Sequence, residues 1–232
     1  MPHVGRQLRN AMGVLLAGMV LVLTDAGFPS RASGTDWTHL NPGVPEGAIA
    51  KPSVVWLPSP NYDARPEGTA IDMIVIHDTE SPGVRDVKTI WHHFASPRSH
   101  VSAHYIIGKD GTIAQCVPDE LRAWHCGESY YLGRDHLNDC AIGIELVNAQ
   151  TGHDPFTNAQ YHSLIRLVSY LVAEYHVPMD RIVGHKDITL KPEVKKDPAP
   201  NFSWSRFLGG VREQLAMGSV RQAAAGRGDR HL

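Results

Sequence analysis

Residues 71–77 read Ile-Asp-Met-Ile-Val-Ile-His, a run too short for a buried helix and too continuously apolar for a strand with one wet face. Such a run suits a strand buried on both sides, inside a sheet with packing layers above and below it. Residues 141–147 form a second run of this kind, and Arg181-Ile182-Val183, after Val177-Pro178, a shorter third. Residues 103–108 and 112–117 flank Lys109-Asp110-Gly111, and an Asp-Gly pair between β-rich runs predicts a hairpin.

Helical signals alternate with these strands. Ser81-Pro82 offers an N-cap and a first-turn proline ahead of Val84, Val87, Trp91 and Phe94, predicting a helix over about 83–95. Thr157 with Gln160 three residues on makes a capping box, and Tyr161, Leu164, Ile165, Val168, Leu171 and Val172 then share one face. A last helix is expected over about 203–215. The alternation predicts a single α/β domain, a mixed central sheet with helices on both faces, spanning residues 55–216. Residues 33–54 read as an extended arm rich in turn formers, and 217–232 as a flexible tail without a core-forming pattern.

Residues 1–32 place Arg6 and Arg9 before an apolar run at 11–23, followed by small residues, the pattern of a signal peptide. The expectation is an exported protein, periplasmic or secreted, with no stable membrane insertion after cleavage. A formal net charge of −2 and no long basic run give nucleic acid no electrostatic footprint. Cys116, Cys126 and Cys140 are compatible with one disulfide in an oxidising compartment or with three small buried groups.

Three stretches put a polar, ligand-capable side chain in or at the end of an apolar run: Ile76-His77-Asp78-Thr79, Ile144-Glu145-Leu146, and Gly184-His185-Lys186-Asp187 continuing to Lys195-Lys196-Asp197-Pro198. Buried polar groups need partners, which predicts that these meet in one site. His77, His185 and Asp197 make a two-histidine, one-carboxylate set of the kind zinc accepts. From the residues alone, a strand-end histidine also reads as a hydrogen-bonded core group, and Lys195-Lys196 as a solvated pair. His104 reads as structural, and His92, His93 and His162 fall on helices without a nameable partner.

The motifs His77-Asp78-Thr79-Glu80, Val101-Ser102-Ala103-His104-Tyr105, Ala123-Trp124-His125-Cys126-Gly127, Gly143-Ile144-Glu145-Leu146 and Gly184-His185-Lys186-Asp187-Ile188 with Lys195-Lys196-Asp197-Pro198 occur in an order that resembles the type 2 N-acetylmuramoyl-L-alanine amidases. These share a fold with T7 lysozyme and the animal peptidoglycan recognition proteins. The resemblance covers about residues 55–210. It implies one Zn2+ per chain on His77, His185 and Asp197, catalytic Glu145 and Lys195, and a cleft wall with Trp124 and His125 against a peptidoglycan or muropeptide substrate; the protein is expected to be a monomer. The spacing from His185 to Asp197 is two residues longer than the common one, with the extra residues within Thr189-Leu190-Lys191. Two rival readings are a peptidoglycan-binding module without catalysis, and a hydrolase using Cys126 with His125. The latter is disfavoured because adjacent residues on an extended segment point apart.

Overall fold

The computed structural model describes residues 49–228, so the signal peptide and most of the expected arm lie outside the described residues. The strands are β1 (Val55–Trp56), β2 (Tyr62–Ala64), β3 (Met73–Asp78), β4 (Tyr105–Ile107), β5 (Ile113–Gln115), β6 (Leu121–Ala123), β7 (Tyr130–Tyr131), β8 (Arg134–Asp135), β9 (Ala141–Leu146) and β10 (Ile182–Gly184). The helices are α1 (Val87–Phe94), α2 (Asn158–Tyr175) and α3 (Trp204–Gly228). Six strands form the main sheet in the order β1-β5-β4-β9-β3-β10. Every pair is parallel except the β4–β5 hairpin, whose turn has Gly111 at φ 85° as the Asp-Gly pair requires.

The two uninterrupted apolar runs, β3 and β9, are the central pair. On one face Ile74, Ile76, Ile142, Ile144 and Tyr105 pack against Leu164, Leu167, Val168 and Leu171 of α2 and Phe207 and Val211 of α3. Each such side chain contributes on the order of 1.5–3 kcal/mol by leaving water. On the other face α1 lays Val87, Ile90 and Phe94 over Ile106 and Ala114, while loop residues Leu137 and Ile188 cover Met73 and Val75. The expected mixed sheet with helices on both faces is what forms. Among the described residues, no helix is long and apolar enough to cross a membrane.

Local chemistry explains where element bounds differ from the sequence reading. Helix α1 starts at Val87 rather than 83, because Gly83 adopts φ 78° and Asp86, not Ser81, caps the helix by accepting from the Thr89 N–H at 3.0 Å. Helix α2 carries the expected box, Thr157 Oγ1 accepting from Gln160 N and Gln160 Oε1 from Thr157 N. Helix α3 runs from Trp204 to Gly228, past the 215 expected for its end. Ala223-Ala224-Ala225 lack an apolar stripe but have high intrinsic helix propensity, and no proline interrupts them. The two-residue turn of the β7–β8 hairpin, Leu132-Gly133, has positive φ at both positions. All three cysteines are buried and unbridged.

Candidate active site

Parallel pairing in register places chemistry side by side at one sheet edge. His77 on β3 is opposite Glu145 on β9, and His185 follows directly on β10, whose Gly184 is opposite Ile76. The three side chains therefore issue from the C-terminal ends of adjacent strands, where open α/β sheets place their sites. Asp197 is brought back to them by the loop after β10, its C=O accepting from the Lys186 N–H at 2.9 Å.

His77 Nδ1 and His185 Nδ1 lie 3.0 and 3.1 Å from the same oxygen, Asp197 Oδ2, and all three residues are buried. Burial opposes the Asp197 charge, but the adjoining His185 and His77 rings outweigh it and hold the carboxyl far below its ordinary pKa. Burial lowers His77 to about 4 despite that carboxylate. The donor chemistry fits a cation. His185 Nε2 is 3.1 Å from the Cys126 carbonyl oxygen, which only accepts, so Nε2 carries the ring proton and Nδ1 turns a lone pair on Asp197 Oδ2. Two electron-rich atoms that close require a proton or a metal ion between them. Donor atoms of His77, His185 and Asp197 all fall within 4.8 Å of one another, a two-nitrogen, one-oxygen set suited to zinc with one position left open.

Glu145 stands beside this group, partly exposed, with Oε2 buried and unpartnered among the described residues. Burial, then the Asp197 and Asp78 carboxylates, push its pKa well above the carboxylate range. A cleft of about 380 Å³ opens over it, lined by Glu145, Lys195, Trp124 and the α1 residues Thr89 and His93. Lys195 and Glu80 face each other at its mouth, Nζ to Oε1 3.8 Å, both about half exposed. Trp124 is half-buried, its N–H donating to Ser102 Oγ at 2.9 Å. His125 is buried and kept neutral, its pKa lowered by burial and by the neighbouring His77.

Every site residue expected from the sequence thus meets in one place, and His104 serves the fold, accepting from the Gly143 N–H at Nδ1. Two contributors were not foreseen. His93 lines the cleft, because α1 turns its Thr89 and His93 side towards it. Asp78, the charged end of an apolar strand, ties two loops together. Its Oδ2 accepts from the Ala199 N–H at 2.6 Å and its Oδ1 from the Glu80 N–H at 3.3 Å, while burial raises its pKa to about 7. The argument that kept Cys126 from His125 also needs correcting, since Sγ lies 3.2 Å from Nδ1. A loop bend brings them together, yet burial pushes the thiol pKa well up and keeps the thiolate scarce.

Gly143 shows how tightly the site is built. A Cβ there would fall 2.4 Å from His125 Cγ, against a ring hemmed in by its neighbours. Gly143→Ala is expected to cost about 1–3 kcal/mol by overpacking. In a thermal melt that is a Tm fall of roughly 2–4 °C per kcal/mol.

A sheet-edge group of two histidines and an aspartate beside a buried carboxyl, opening on a cleft of this size, is the layout of a hydrolase able to hold a metal ion. Residues 67–200 match the N-acetylmuramoyl-L-alanine amidase family. The chain belongs to that family. It is 38% identical over 165 residues to the 1,6-anhydro-N-acetylmuramyl-L-alanine amidase AmpD of Enterobacter cloacae, covering 65% of this chain and 86% of that one. A crystal structure of an AmpD derivative matches with TM-score 0.61 at 37% identity, covering 72% of this chain and 97% of the other. The amidase AmiD of E. coli, in complex with its substrate anhydro-N-acetylmuramic acid-L-Ala-D-γ-Glu-L-Lys, matches with TM-score 0.52 at 31% identity, covering 66% and 60%.

Proposed function

We propose that the protein is an exported, zinc-dependent amidase that hydrolyses the bond between N-acetylmuramic acid and L-alanine in peptidoglycan or its fragments. The observation that carries this reading is the convergence of His77, His185 and Asp197 donors beside Glu145 at the floor of the cleft. Zinc, held by those three residues, would supply Lewis acidity to polarise the scissile carbonyl and acidify water. Glu145, with its raised pKa, takes the proton of the attacking water and returns one to the leaving amine of L-alanine. Lys195, half exposed on the cleft wall, stabilises the negative charge that develops on the carbonyl oxygen. Trp124 offers an apolar face against the sugar or the stem peptide. The relatives named for 1,6-anhydro-N-acetylmuramyl-L-alanine support muropeptide fragments as substrates. Export rests on Arg6, Arg9 and the apolar run that follows.

Metal removal tests the reading. Purified protein is expected to carry about one zinc by elemental analysis, following from the one complete donor set found among the described residues. Exhaustive chelation should abolish release of stem peptides, and added zinc should restore it. Full activity in zinc-free protein would overturn the mechanism.

A further inference from the structure

We propose that His125 is a positioning residue for the metal ligand His77, acting through that ring rather than on the substrate. The inference rests on the zinc-amidase reading above. His77 presents Nδ1 to Asp197 Oδ2, and its other nitrogen, Nε2, lies 3.1 Å from His125 Nδ1, the rings meeting edge to face at 87° with centroids 5.2 Å apart. If Nδ1 of His77 gives its lone pair to a cation, Nε2 must carry the proton, and the acceptor in reach is His125 Nδ1. His185 is held in the same way by the Cys126 carbonyl oxygen. Consecutive residues of one loop thus receive the outer N–H of both histidine ligands.

The loop is built to hold that acceptor still. Asn138 Oδ1 accepts from the backbone N–H of both His125 and Cys126, at 3.0 and 2.8 Å, fixing the backbone on either side of the ring. Gly143, without a side chain, lets the ring lie directly on β9, and the His104 ring meets it edge to face, centroids 5.5 Å apart. The Cys126 Sγ lies 3.2 Å from the same nitrogen. With Nδ1 accepting, the proton of His125 sits on Nε2, which is buried and has no partner among the described residues. A ring placed to bind substrate would offer that nitrogen to the cleft.

The test compares zinc affinity, by competition with a chromophoric chelator, and steady-state kinetics in His125→Ala and His125→Asn, the amide oxygen of asparagine standing where Nδ1 stood. Loss of an outer partner of a metal-binding histidine typically costs about 10- to 100-fold in metal affinity. His125→Ala is expected to weaken zinc binding by that factor, and His125→Asn to recover most of it, with KM near the parental value in zinc-saturated protein. Nitrogen-15 NMR of the zinc-loaded parent should show the His77 proton on Nε2 and the His125 proton on Nε2, a readout independent of whether either variant folds. Parental zinc affinity in His125→Ala with a raised KM, or a His125 proton on Nδ1, overturns the inference while leaving the metal reading standing. Failure of the parent to bind zinc would instead defeat both.

Discussion

His185→Ala is expected to lose both zinc and turnover. His185 enters the site directly from β10, held by the Cys126 carbonyl oxygen on one side and facing Asp197 on the other. Alanine deletes one of three donors and leaves Asp197 Oδ2 with a single imidazole. Removing only an outer partner costs about 10- to 100-fold in metal affinity, so losing a ligand itself should exceed the upper end of that range. Elemental analysis of the dialysed variant should find it largely zinc-free, and muropeptide cleavage should fall below detection. The fold should survive, because the core on the α2 and α3 face of the sheet does not include His185. A variant that kept full zinc would mean that the metal is held elsewhere.

Glu145→Ala separates chemistry from metal binding. Glu145 is opposite His77 across β3 and β9 but supplies none of the three convergent donors. The variant is therefore expected to retain zinc while kcat falls by about 10²- to 10⁴-fold, the usual contribution of a general base. Glu145→Gln, which keeps the shape and removes the base, should lose a comparable factor. KM should move little. Parental turnover in either variant would send the search for the base elsewhere.

That His77 and Glu145 stand close together was legible in the sequence because strand chemistry is local, whereas their separate roles came from the resemblance to the family. Runs 71–77 and 141–147 read as buried strands on residue type alone, and their parallel pairing then puts His77 and Glu145 in one row. The capping box of α2 and the Asp-Gly hairpin needed no more than four residues each. What brings Asp197 to His77 is not local. It depends on a long loop closing back onto β10, so the residue types only suggested the grouping and the ordered resemblance to a family was needed to place it. The same limit hid Asp78, whose partner Ala199 lies 121 residues away, and the contact between His125 and Cys126, which a bend creates where an extended segment would separate them. In α3 the failure was of another kind: helix propensity carries the chain on to Gly228 where a search for an apolar stripe finds nothing.

The bond that is cut is the central claim, and mass spectrometry of products from a defined anhydro-N-acetylmuramyl tripeptide tests it most directly. Zinc-loaded protein should yield the free tripeptide beginning with L-alanine together with the intact anhydro sugar acid, and the chelated protein neither. Cleavage within the stem peptide, or an untouched substrate under zinc-loaded conditions, would contradict the account.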